Sequence, residues 1–270
     1  MGKGSPMIVQ KQLVKKMSEK DVYEVENVIR KGKKYFVTFS NLDDDIELYE
    51  DQLVEYRIIK GNTFTKSEIK QIKKSSELSS MYNKAIHFIN YKLRTEKEVR
   101  DFLIGKEVPE SDIHKIIQKL KAIDFINDKR FVTMYTDELI RRKKGHYGIR
   151  QALIQKGIAK ELIDESLDTY LVDTEKQNAL DVATKALKQY TTYPVKKQKL
   201  QVMQKLISLG FSQDIINQVM NQLEYATDFT ERLEAEYQKL VLKEEPKEKI
   251  ITKLLAKGYE YSDIKKIMKS

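Results

Sequence analysis

The sequence predicts a mainly α fold: tandem three-helix, helix-turn-helix-like repeats in an elongated array, preceded by a small strand-rich head. Three observations carry this. A ten-residue pattern occurs four times, at Val99 to Val108, Ile149 to Ile158, Val202 to Phe211 and Ile250 to Tyr259; each copy opens on a β-branched aliphatic, has Leu four residues on and closes on an apolar residue. Those leucines, Leu103, Leu153, Leu206 and Leu254, are 50, 53 and 48 residues apart, and an isoleucine follows each in register at Ile113, Ile163, Ile216 and Ile264. A unit repeated at that period buries its apolar face by stacking on its neighbours. Ahead of the array, the apolar period shortens to two, the period of strands.

In the head, Val22 to Ile29 alternates, the turn Arg30 to Lys34 places Gly32 at the awkward dihedral, and Tyr35 to Phe39 returns as the second strand of a hairpin. Ile46 to Leu48 reads as a third strand after a turn over Asn41 to Asp45. A helix from Glu50 to Tyr56, a loop from Lys60 to Thr65 and a helix starting at Ser67 or Glu68 complete the head. Its junction with the repeats is expected in a serine-rich helix start, Ser75 to Ser80. The organisation is therefore a head over 1–75 and repeats over 76–126, 127–173, 174–226 and 227–270.

Each repeat reads as three helices. The first is Met81 to Tyr91, Lys129 to Arg142, Glu175 to Gln189 and Phe229 to Leu242 in turn. The second carries the aligned pattern and ends at Gly157, Gly210 and Gly258, where glycine suits a left-handed cap; Glu107 holds that place in the first copy. The third buries one stripe, Ile113, Ile116, Ile117 and Leu120 in the first copy and Ile163, Leu167, Tyr170 and Leu171 in the second.

Composition narrows the function. Fifty Lys and Arg against 41 Asp and Glu give a net charge of +9 over 270 residues, which favours an acidic partner such as nucleic acid. With no cysteine, disulfides and thiol catalysis are excluded. No apolar run is long enough to span a bilayer, and Met1 to Pro6 is too short and polar for a signal peptide, so a cytoplasmic, membrane-free protein is expected. His87, His114 and His146 are scattered, phosphate-binding glycine loops are missing, and Asp43 to Asp45 with Glu47 reads as a solvated turn. No catalytic residue, metal or cofactor is assigned, and the chain is read as a non-enzyme.

The informative charges cluster at the start of each second helix: Lys92, Arg94, Lys97 and Arg100; Arg141, Arg142, Lys143, Lys144 and Arg150; and Lys196, Lys197 and Lys199. Counting back from the aligned leucines puts Arg94, Lys144 and Lys197 at one place, with Glu245 in the fourth copy. Five positive residues fall between Arg141 and Arg150 with no acid among them, although 127–172 as a whole has a net charge of only +2. Repeats that stack with a regular rotation turn such positions into a stripe that can track phosphates. Tyr91, Tyr147 and Tyr193 lie beside these charges, where they can stack on exposed bases.

At these residues the sequence resembles the RecX family of bacterial regulators of the RecA recombinase. Phe125 to Phe131 followed by Tyr135, then Arg141 to Gly145, Ile149 to Leu153 and Lys156 to Ile158 carry the resemblance, with Ala85, Leu93 and Glu96 to Arg100 upstream. The match covers about Tyr82 to Leu171 specifically; the strand-rich head and the fourth repeat look like longer members from low-GC Gram-positive bacteria. Two positions depart from the pattern: Gly145-His146 stands where Gly-Pro is common, and Ala152 where an acid is. The resemblance implies a monomeric, non-catalytic modulator that binds the groove of the RecA filament on single-stranded DNA. It also implies inhibition of ATP hydrolysis, strand exchange and repressor cleavage. Two readings from other classes remain, a stand-alone binder of single-stranded or duplex DNA, such as a helix-turn-helix regulator, and a helical scaffold for other proteins.

Overall fold

Alternation and a left-handed glycine make the head's hairpin. In the computed structural model, which describes residues 22–269, β1 (Val22–Lys31) and β2 (Lys34–Phe39) pair antiparallel around Gly32 at φ 64°. β3 (Ile46–Leu48) joins the free edge of β2, and α1 (Glu50–Glu55) follows. The expected loop over Lys60 to Thr65 contains a fourth strand, β4 (Thr63–Thr65), on the other edge of β1, giving the order β3-β2-β1-β4. With one apolar residue, Phe64, between two threonines, β4 lacks the alternation that marks the equally short Ile46 to Leu48. Val25, Val37, Phe39, Ile46 and Leu48 form the buried face, and Ile69 and Ile72 of α2 (Lys66–Tyr91) pack on it.

That helix corrects the expected helix start at Ser75 to Ser80. Its start is fixed by Thr65 and Glu68, each side chain satisfying the other's backbone N–H, and it then runs unbroken through Ser75 to Ser80. The serines bond to the head instead of capping a new helix: Ser75 Oγ accepts from Gln52 Nε2 at 2.7 Å, and the Ser76 hydroxyl donates to the Glu47 carbonyl. One end of α2 therefore covers the sheet, while Ala85 and Ile89 near its other end belong to the core of the first repeat with α3 (Glu96–Ile104) and α4 (Glu110–Ala122).

The chain divides into two compact units, one ending at Ile126 and the other starting at Asn127. The second holds α5 (Asp128–Arg141), α6 (His146–Gln155) and α7 (Lys160–Leu167); α8 (Val172–Leu187), α9 (Val195–Leu209) and α10 (Gln213–Gln222); and α11 (Thr230–Val241), α12 (Lys247–Ala256) and α13 (Tyr261–Ile267). The aligned pattern has a common physical origin. Glu107, Gly157, Gly210 and Gly258 all adopt positive φ, at 59°, 76°, 80° and 94°. In each copy the N–H of the next residue, Val108, Ile158, Phe211 or Tyr259, returns to the carbonyl of the aligned leucine at 3.2 to 3.3 Å. This is a Schellman closure, and the two apolar residues that bracket it are the ones the pattern repeats. All four leucines are buried. Leu171 departs from expectation: α7 stops at Leu167, so Tyr170 is buried but Leu171 is 67% exposed at the start of α8.

Within the second unit, consecutive repeats also meet end to end. The N–H groups at the start of α6, those of Gly145, Tyr147 and Gly148, donate to the last carbonyls of α9, Leu209 at 3.0 Å and Gly210 at 3.1 and 3.3 Å. Orphan donors of one helix thus satisfy orphan acceptors of another, with the positive end of one dipole against the negative end of the next. The approach requires glycine: a Cβ on Gly148 would stand 2.3 Å from the Leu209 oxygen, and one on Gly210 would stand 2.1 Å from the Gly148 nitrogen. At the following joint, a Cβ on Gly258 would lie an ordinary 3.6 Å from Lys196 Cβ and 3.9 Å from Pro194 Cβ. Pro194 has no N–H to offer.

Among the described residues no helix is long and apolar enough to cross a membrane. The segment Met1 to Pro6 lies outside them.

Candidate nucleic-acid interface

The rim before each second helix is shaped by its cap. In the first unit Thr95 is the N-cap of α3 and accepts from the Glu98 N–H at 3.2 Å. In the second, Gly145 caps α6 through its contact with α9. Tyr91 to Arg100 and Arg141 to Arg150 then repeat one burial profile residue for residue, from an exposed first pair to a buried Val99 or Ile149. Arg94 and Lys144 are true equivalents, each immediately ahead of the cap.

Lys197 is not their equivalent. α9 has 15 residues, against 9 in α3 and 10 in α6, and the added turn lies at its N-terminus. Counting back from Leu206 therefore lands inside the helix, and the residue ahead of the Pro194 cap is Tyr193. The extra turn puts Gln198 where the other copies have an aliphatic, and it is fully buried, donating from Nε2 to the carbonyls of Tyr193 and Ala226 at 2.7 Å each. Glu245 does stand ahead of the Pro246 cap of α12. It is ion-paired to Lys253 and, at 3.0 Å, to Lys249, and those ammonium groups hold its carboxyl below the usual range. The fourth rim is therefore not a net negative surface.

Most of the remaining arginines are engaged. Arg94 lies 4.1 Å from the Phe88 ring centre and pairs with Glu98 at 3.6 Å. Arg100 pairs with Glu110, and Arg150, at the matching place, with Asp164 at 2.5 Å, so both tie the second helix of a repeat to the third. Arg142 pairs with Glu138 at 2.5 Å and Lys143 with Asp181 at 2.6 Å, the latter holding the Asp181 carboxyl low. Lys92, Lys97, Arg141, Lys196 and Lys199 are exposed, Lys144 is half-buried, and Lys199 reaches over the Tyr225 ring at 5.0 Å.

Of the three tyrosines, Tyr91 and Tyr147 are 89% and 62% exposed and present free faces. Tyr193 is covered, with the Arg232 guanidinium 3.5 Å and the Lys197 ammonium 4.5 Å from its ring centre. A base cannot stack where Arg232 already does.

The fold brings together a different set. Arg141, Arg142 and Lys143 share a groove of 550 Å³ with Lys185 of α8 and Lys205 of α9, Asp181 being the one acid in its wall and Tyr190 standing at its side. Lys185 and Lys205 are single lysines on helix faces, without a run to mark them; only the packing of α8 on α9 assembles the five cations. Lys144, Tyr147, Arg150, Lys196, Lys197 and Lys199 do not line this groove. The second unit thus presents a short basic groove plus separate charges, a discontinuous version of the expected stripe.

His146 occupies the position that departs from the family pattern. Its backbone N–H donates to Glu175 Oε1 at 2.8 Å and its Nδ1 lies 2.6 Å from Oε2, while the ring stacks on Tyr170 at 4.8 Å. The imidazole ties α6 to the first turn of α8, so the rigidity a proline would give is supplied by the 3%-exposed Glu175.

Sequence profiles for three RecX three-helix domains match this chain: the first at residues 82–120, the second at 127–167 and the third at 173–220. The fourth three-helix unit, α11 to α13, lies beyond the matched residues. Regulatory protein RecX of Streptococcus agalactiae is 32% identical over 89% of this chain and 97% of its own length, and that of Listeria innocua is 29% identical over 88% and 92%. Among solved structures, a crystal structure of regulatory protein RecX superposes with a TM-score of 0.62 at 23% identity, over 74% of this chain and all of that one. RecX from Lactobacillus salivarius superposes at 0.50 and 31% identity, over 55% and 97%. Matching three-helix domains in tandem and near-full-length similarity to regulatory proteins together show that the chain belongs to the RecX family.

Proposed function

We propose that this chain is a non-catalytic inhibitor of the RecA recombinase. It binds along the groove of the RecA filament on single-stranded DNA and suppresses ATP hydrolysis, strand exchange and co-protease activity. The observation that carries the reading is repetition joined end to end. The helix ends of the second and third repeats meet at Gly145, Gly148 and Gly210, so two copies of the three-helix unit are held in fixed succession opposite a partner that is itself periodic. Contacts made several times over raise avidity without one strong site. The groove around Arg141, Lys143, Lys185 and Lys205 supplies the phosphate contact in this arrangement.

Co-sedimentation with RecA filaments preassembled on single-stranded DNA tests the proposal. The chain is expected to sediment with filaments more strongly than with the same DNA bare. Equal binding to naked DNA, with none added by RecA, favours a stand-alone DNA-binding protein and overturns the filament reading.

A further inference from the structure

The first unit has a cleft that the proposed RecA and DNA contacts do not use. It measures 730 Å³ and lies between the head, α2 and the loop leading into α4. Leu42, Ile69, Leu78, Met81 and Val108 give it an apolar floor, and Lys66, Lys70, Lys73, Lys74 and Lys106 stand around it. Lys66, Lys70 and Lys74 follow one another at four-residue intervals, one turn apart on a single face of α2.

They differ from the ion-paired cations of the basic rim. Among the described residues Lys66, Lys70, Lys73 and Lys74 are exposed and engaged in no ion pair or hydrogen bond, whereas Arg94, Arg100, Arg142, Lys143 and Arg150 are all paired. Three carboxylates, Glu77, Glu107 and Asp112, also reach the cleft, and Asp112 is held by Lys115 at 3.0 Å. Four like charges kept unpaired beside a concave apolar surface leave both the charge and the floor without a complement.

We infer that this cleft docks a protein segment of acidic, amphipathic chemistry, its apolar side chains on the floor and its carboxylates along the lysine row of α2. Nucleic acid fits less well. Sites for single strands rely on aromatic rings and arginine planes for stacking, and this cleft has one aromatic residue, Tyr23, and no arginine. The chain's own first 21 residues are excluded by charge, since they carry five lysines against one Glu and one Asp.

The test is fluorescence anisotropy on the full chain. The probe is a labelled peptide of about twelve residues, combining Asp and Glu with Leu and Phe; an all-acidic peptide of equal length and an oligo(dT) of similar charge serve as competitors. The mixed peptide is expected to bind, and Lys70→Glu with Lys74→Glu to weaken it about tenfold or more. Lys185→Glu with Lys205→Glu, in the other unit, should leave it unchanged, and the all-acidic peptide should compete at least about tenfold less well. Because no RecA is present, failure here is distinct from failure of the filament proposal. The inference is overturned if the mixed peptide does not bind, if the α2 reversals have no effect, or if oligo(dT) displaces the peptide better than its unlabelled form does.

Discussion

Replacing Gly148 with alanine gives a strong test of how the repeats are joined, because two opposite effects are expected and the structure says which is larger. Gly148 is the third residue of α6, and in an exposed helix alanine there would stabilise by about 1 kcal/mol. Here its Cβ would stand 2.3 Å from the backbone oxygen of Leu209, which is not the tip of a flexible side chain and cannot move aside without moving the end of α9. The joint must open. Three hydrogen bonds, from Gly145, Tyr147 and Gly148, are then broken or stretched. At about 0.5 to 1.5 kcal/mol net for each, the loss is roughly 1.5 to 4.5 kcal/mol. After the helix-propensity gain, Gly148→Ala should destabilise by about 0.5 to 3.5 kcal/mol in urea unfolding followed by circular dichroism. Gly105→Ala is the control: Gly105 has φ −64°, and its Cβ would meet only the Asp101 and Phe102 carbonyl oxygens, at 3.4 and 3.5 Å. It should change stability by no more than about 0.5 kcal/mol. A Gly148→Ala protein as stable as the parent, or more stable, would refute the end-to-end joint.

A double substitution and a truncation separate the surfaces. Lys185→Ala with Lys205→Ala should weaken binding to single-stranded DNA at every sequence and lower the magnitude of its log-log salt slope by roughly 0.7 for each phosphate that is no longer neutralised; an unchanged slope in a folded protein removes the groove from the interface. Truncation after Glu224 deletes the Ala226 carbonyl that Gln198 holds and the Arg232 that covers Tyr193. It should lower the melting temperature and filament inhibition, while DNA affinity falls less than in a protein with Arg141, Arg142, Lys143 and Lys144 all changed to alanine. Complete loss of DNA binding by a folded truncated chain would place the fourth repeat in the nucleic-acid surface.

The repeat register was legible because its determinants are local. A leucine, a left-handed residue four positions on and an apolar closing residue are consecutive parts of one Schellman motif, so burial and backbone geometry leave the same mark four times. β4 was not legible because Thr63 to Thr65 has a single apolar residue, whereas the equally short β3 has two, Ile46 and Leu48, at period two. A helix start was misread inside α2 because Ser75 and Ser76 look like helix-start residues until their partners in the head, Gln52 and Glu47, are known. At the interface, run-like features survived and spaced ones did not: Arg141 to Lys143 stay together, but Lys185 and Lys205 join them only through helix packing. Lys197 was misplaced because one added turn in α9 shifts everything upstream of Leu206 relative to the cap. The glycine joint links Gly148 to Gly210 across 62 positions (210 − 148), and no pattern in either stretch names the other.

The central claim, that this chain restrains the RecA filament itself, is tested most directly by RecA ATP hydrolysis on single-stranded DNA. DNA should be saturating, so that simple competition for it cannot act. The rate is predicted to fall as the chain is added, and Arg141, Arg142, Lys143 and Lys144 to alanine should shift that titration to higher concentration. A rate that does not change at any concentration of the folded chain, or whose fall is reversed by adding more DNA, would contradict the account.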